Sequence, residues 1–180
     1  MIFNTEELLK ELTKLVEKHI NYVEQLKEFN ENDLQKKKRD NSWSAIECLE
    51  HLNLYAQFYN IEIRKQIEKT RYPKSTIFKS GYLGNIFALD MLPKKGMKTM
   101  NTFKSKNPIY STLDTKRVLN NFLELQKELL ELLILAKKVD LTKTKTAITL
   151  PILKLRLGDT FRFVIYHNER HIEQAIKALE

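Results

Sequence analysis

Residues 44–69, SAIECLEHLNLYAQFYNIEIRKQIEK, read as one long helix with a marked start. Ser44 is followed three residues later by Glu47, the spacing of a capping box. In that motif the hydroxyl serves an orphan amide of the first turn and the carboxylate reaches back to the cap residue. The helix is expected to run to about Lys69, where the sequence RYP at 71–73 stops it, because a proline disfavours helix in the residue before it. Trp43 stands just outside the cap, placed to pack against the first turn.

Three further segments carry the same period. Residues 5–29 place Leu8, Leu12, Leu15, Ile20, Val23 and Leu26 at steps of three to five with charges between them, the pattern of an amphipathic helix with one core face. The following stretch, NENDLQKKKRDN, has no apolar pattern and reads as a loop. Residues 111–139 supply Val118, Phe122, Leu125, Leu129, Leu132 and Leu133 as a buried stripe, with Ser111 or Thr112 as the expected cap. The last segment starts near Gly158–Asp159, with Asp159 as the expected cap, and continues to the end of the chain. Four long helices and no convincing sheet predict an all-α four-helix bundle with long crossover connections, and 180 residues suit a single domain, 1–180.

Two connections interrupt the helices. Residues 72–110 hold three of the four prolines and three of the four glycines, so they read as a long crossover with one short helix near 82–91. A connection of that length inside a compact domain is often a lid or a pocket wall. Residues 140–158 are rich in β-branched side chains and read as an extended crossover with one short strand-like stretch.

Composition narrows the functional classes. The lone cysteine, Cys48, excludes an internal disulfide framework and a four-cysteine zinc site, and it reads as a buried, inert thiol. The N-terminal residues show no signal-peptide pattern, and no run reaches the ~18–20 apolar residues of a membrane span. The chain therefore reads as soluble and cytoplasmic. Motifs of the forms GxSxG, GxxxxGK[ST], GxGxxG and HExxH are missing. The net charge of +8 is concentrated: residues 64–106 hold eleven Lys or Arg against two acids, Glu68 and Asp90. That segment is open to three readings. It is a solvated loop, a nucleic-acid patch, or a field that steers an anionic small substrate into a nearby pocket. The lysines lack the aromatic interleaving of a single-strand binder, which weighs against nucleic acid.

Two of the four histidines, His167 and His171, are four apart on the last helix, a spacing that stacks side chains on one face. Neutral imidazoles so placed can chelate one first-row metal ion, given a third ligand. His51 offers it: it lies in the second turn of the 44–69 helix, with Ala45, Leu49 and Leu52 around it at the edge of the core. Bundles build metal sites from side chains on facing helices, and three histidines leave coordination positions open, as a catalytic site requires. Glu47, one turn before His51, is a candidate fourth ligand, although its capping role accounts for it without metal. Tyr55 and Gln174 fall on the same faces as the histidines and are candidates to line the site or orient its ligands. His19, among charged neighbours, reads as a surface or boundary histidine.

The stretch NSWSAIECLEHLNLY (41–55), followed more than a hundred residues later by YHNERHIEQ (166–174), resembles the DinB/YfiT-like superfamily of metalloenzymes, and GNIFALDMLPKKGMKT (84–99) is similar to a subgroup of it. The signature is a Trp–Ser pair, a histidine eight residues after the tryptophan, and a C-terminal HxxRH in that order; the resemblance covers residues 43–179, and the first helix fits as well. It implies a four-helix bundle with a long crossover and a divalent metal, zinc or nickel, held by His51, His167 and His171, with Arg170 matching the family arginine. Characterised members include thiol-dependent S-transferases and a mycothiol-dependent maleylpyruvate isomerase. The expectation is a metal-dependent transferase or hydrolase in which the metal activates water or a low-molecular-weight thiol as co-substrate. Its substrate would be a small molecule, anionic or itself a thiol, and a homodimer is compatible with the fold. The alternative is a non-catalytic binding protein whose 64–106 segment binds an anionic partner such as nucleic acid.

Overall fold

A computed structural model describes residues 1–94, 102–109 and 111–180. Four long helices carry the fold: α1 (Thr5–Leu26), α3 (Ala45–Lys69), α5 (Thr115–Ala136) and α6 (Leu157–Leu179), with short helices α2 (Glu31–Gln35) and α4 (Tyr82–Met91) between them. α3 packs chiefly against α5 and α6, and α1 against the same two, so α1 and α3 are diagonal partners in the bundle. α4 lies along α6. The architecture is the expected all-α bundle.

The starts of the helices follow from local chemistry. Ser44 and Glu47 form both bonds of the capping box, Glu47 N to Ser44 Oγ at 3.2 Å and Ser44 N to Glu47 Oε2 at 2.8 Å. α5 is capped by Asp114, whose carboxylate accepts from Arg117 N at 2.9 Å, and not by Ser111 or Thr112. α6 begins two residues before Asp159, so Asp159 lies inside the first turn and is fully buried. The stretch expected to be a loop contains α2: Asn30 caps it, and Leu34 alone supplies its buried contact, too little apolar pattern to read from sequence.

Two small antiparallel pairs tie the connections to the bundle. β1 (Ile2–Asn4) pairs with β2 (Ile77–Lys79), Phe3 opposite Phe78, fastening the N-terminus to the long crossover. β3 (Lys145–Ala147) pairs with β4 (Lys154–Arg156) as a hairpin, where the sequence suggested one strand-like stretch. The Phe78 ring lies on the backbone of Gly158, where a Cβ would come within 2.6 Å of it, so α6 needs glycine at its second residue.

The core divides into two apolar clusters, one around Leu12, Tyr59, Leu132 and Phe161, the other around Val23, Leu49, Phe122 and Ile172. Along each long helix the change from one to the other falls at a buried polar residue: His19 on α1, Asn53 on α3, Gln126 on α5 and Asn168 on α6. Asn168 donates to Gln126 Oε1 at 2.9 Å and Asn53 donates to Val118 O at 3.1 Å, so the layer is only partly paired within itself: His19 Nδ1, Asn53 Oδ1 and Gln126 Nε2 are buried without a hydrogen-bond partner among the described residues. His19 is therefore a core residue and not a surface one. It is 0 % exposed and its Nε2 meets Glu169 Oε2 at 2.6 Å. A carboxylate on a neighbouring helix lets an imidazole sit in the core, and a single sequence does not reveal that partner.

Candidate metal centre

The capping box fixes where α3 starts and so which residue of its second turn faces α6. That residue is His51, 2 % exposed. From α6, His167 and His171 project onto it one turn apart. The ligand atoms of the three lie within 4.8 Å of one another, and His51 Nε2 is 3.2 Å from His167 Nε2. Two nitrogens bonded at about 2.0–2.1 Å to one tetrahedral ion would be about 3.3 Å apart, close to the spacing seen.

The outer nitrogens of two of these rings are already committed. His51 Nδ1 donates to the backbone carbonyl of Lys106 at 2.6 Å, and His171 Nδ1 donates to Gln174 Oε1 at 2.9 Å. Carbonyl oxygens only accept, so in the neutral rings the proton sits on Nδ1 and the lone pair on Nε2. Burial keeps the rings neutral. It pushes His51 down to about 4 and His171 down to about 3, with the charge of His51 adding to the second, and it lowers His167 well below the ordinary histidine value. The His51 lone pair thus faces His167 Nε2 at 3.2 Å, and it is met either by the N–H of the His167 tautomer protonated there or, with the other tautomer, by a cation shared between the two rings. The donor set fits a divalent first-row ion.

Aromatic rings wall the cluster. Trp43 lies 4.6 Å from His51 and 5.5 Å from His171 between ring centroids, and its indole N–H donates to Asn107 Oδ1 at 3.2 Å. It therefore lies tilted against the two histidine rings, and it also packs on the apolar cluster that holds Ala45, Ile46 and Cys48 at the start of α3. Tyr55 is 4.9 Å from both His51 and His167, and Phe163 stacks on His167 at 6.0 Å. Tyr55 and Gln174 are thus beside the three histidines, as their helical spacing suggests. Glu47 is occupied by Ser44 and by Lys37 Nζ at 2.7 Å, and it is not one of the converging donors. Cys48 is buried elsewhere, and burial pushes its thiol well up.

Two features escaped the sequence reading. Phe163 is four residues before His167, so helical spacing alone could have found it. The Lys106 carbonyl is a backbone atom at the end of a single 3-10 turn (Lys104–Lys106) in the long crossover and leaves no mark in residue types. The basic segment is partly neutralised: Arg64 pairs with Glu128 at 3.3 Å and Glu131 at 3.6 Å, and Lys94 pairs with Asp90 at 3.8 Å. Lys95 and Lys98 lie outside the described residues. No helix among the described residues is long and apolar enough to cross a membrane.

No curated protein and no solved structure matches the chain. A family model of the DinB superfamily matches residues 9–175, which takes in the capped helix with His51 and the C-terminal pair His167 and His171. By that match, and in keeping with its all-α fold and its cluster of three histidines, the chain belongs to the DinB superfamily.

Proposed function

We propose that the chain is a metal-dependent enzyme whose divalent ion, zinc or nickel, is held by His51, His167 and His171. The observation that carries this reading is the convergence of three neutral imidazoles, two of them with the outer nitrogen bonded to a fixed acceptor. Such bonds hold a ligand ring in orientation and raise its basicity, which supports metal affinity. Three protein ligands leave room for a fourth, exchangeable one. When bound there, the metal would lower the pKa of water or of a low-molecular-weight thiol so that a nucleophile exists at neutral pH. The reaction class that follows is S-transfer to an electrophile, or hydrolysis. Trp43, Tyr55 and Phe163 would keep bulk water from the ligand rings and present an apolar wall to the substrate.

Metal analysis of protein purified without a histidine tag tests the reading. The expected result is close to one divalent ion per chain, lost in His167→Ala while the helical circular dichroism remains. Wild-type protein that is metal-free and takes up neither zinc nor nickel overturns it.

A further inference from the structure

Three neutral donors leave the full double charge on a divalent ion. The charged side chains that act on the histidines add to that charge: Lys106 on His51, and Arg170 on both His167 and His171. The Asp90 carboxylate acts on Arg170 and offsets part of its charge, whereas nearby Glu47 is taken up by Ser44 and Lys37, which leaves Lys106 as the cation on the His51 side. A centre this positive and partly buried favours anionic ligands, because its charge is weakly screened.

Lys106 is placed to give that preference a direction. Its backbone carbonyl orients His51, and its ammonium reaches over the same aromatic wall. Nζ donates to the carbonyl of Leu54 at 2.5 Å and sits 5.8 Å from the centroid of Tyr55, the ring that touches both His51 and His167. An ammonium has three N–H donors, and one of Lys106's is accounted for by Leu54. Its side chain forms no ion pair within 4.0 Å among the described residues. A cation partly desolvated beside a metal centre, without a carboxylate of its own, is a docking point for an anion from outside.

We infer that Lys106 Nζ binds a carboxylate on the small molecule that enters the centre, so that the co-substrate is a low-molecular-weight thiol bearing a carboxylate, held at two points. This rests on the reading of the three histidines as a metal site that takes a thiol. No bond is made or broken at Lys106; it is a positioning residue.

The test uses cobalt-loaded full-length protein, in which a bound thiolate gives a near-ultraviolet charge-transfer band. 3-Mercaptopropionate and its longer homologues are titrated, each against the mercapto-alcohol of the same length. The wild type should bind the best-fitting mercaptocarboxylate about fivefold more tightly than its alcohol, the value of one ammonium–carboxylate contact still open to solvent. In Lys106→Met that ratio should fall to about one, and Lys106→Arg should restore most of it. Because the ratio is taken within each variant, a general loosening of the site cancels. Equal affinities at every length in the wild type, or a ratio that survives in Lys106→Met and so belongs to Arg170, overturns the inference. Protein that takes cobalt but gives no charge-transfer band with any thiol overturns the thiol reading, and the inference with it.

Discussion

Asp159 is the residue on which the junction of α6, α4 and the first crossover turns, and Asp159→Ala should cost about 3–5 kcal/mol. The carboxylate is 0 % exposed and fully used. Oδ1 accepts from the Ser80 hydroxyl and from Arg162 Nη1 at 3.2 Å, and Oδ2 accepts from Gly81 N at 2.7 Å. Arg162 is itself 1 % exposed; its other bonds are to neutral groups, Ser80 Oγ at 3.1 Å and Asn85 Oδ1 at 3.1 Å, and its guanidinium lies 4.7 Å from the Phe3 ring. Removing the carboxylate leaves a buried guanidinium without its counter-charge and the half-buried Gly81 amide without its acceptor, which is why the cost exceeds that of an ordinary hydrogen bond. Gly84, where a Cβ would come within 2.5 Å of Asp159 Oδ2, shows how closely α4 rests on this side chain, so truncation also opens a void.

Against a total stability of about 5–15 kcal/mol for a domain, the loss would be about a fifth or more. Urea unfolding followed by circular dichroism is the assay: the midpoint should fall with the slope unchanged. The double variant Asp159→Ala/Arg162→Met sharpens it. With both charges gone, no charge is stranded, and the double variant should be more stable than Asp159→Ala alone. A loss below about 1 kcal/mol for Asp159→Ala, or a double variant whose loss is the sum of the single ones, would refute the argument that the stranded charge sets the cost.

Gly158→Ala should destabilise the protein by about 1–3 kcal/mol in thermal or urea unfolding, since its Cβ would meet the buried Phe78 ring at 2.6 Å, and Phe78→Leu in the same background should recover part of that loss. Trp43 is the sole tryptophan and lies against His51 and His171, so nickel should quench its emission to a plateau near one equivalent, with no such plateau in His167→Ala. Acid sensitivity should depend on Glu169, whose carboxyl is held down to about 2, first by its hydrogen bond to His19 and further by Lys18. As the pH falls below the unfolded carboxyl value of about 4.3, the unfolded chain takes up a proton that the folded chain refuses until about 2, so stability drops across that window. Glu169→Gln should flatten this part of the profile of stability against pH, measured by urea unfolding at a series of pH values.

The parts of this fold that could be read from sequence are those whose cause is local. Ser44 and Glu47 announce the start of α3 because a cap is a contact three residues long, and the leucine stripes of α1 and α5 announce buried faces because helical period is written in residue order. His167 and His171 were legible for the same reason, and His51 followed once a cap had fixed its place on a facing helix. What was hidden depends on partners far away in the chain. Asp159 looks like a cap residue until Ser80 and Gly81 arrive from the crossover and take its carboxylate. His19 looks like a surface residue until Glu169 meets it across the bundle. The same division runs through the centre itself: the three histidines are on helices and follow from spacing, whereas the carbonyl of Lys106 and the side-chain amide of Asn107, which meet His51 and Trp43, come from the long crossover. The three histidines are locked to helical register, so on the proposed reading substitution there costs the metal site outright. The crossover can exchange Lys106 for another side chain while its backbone carbonyl still holds His51 in place. If Lys106 docks the co-substrate as proposed, selectivity is rewritten on the segment that leaves least trace in the pattern of the sequence, with the three histidines unchanged.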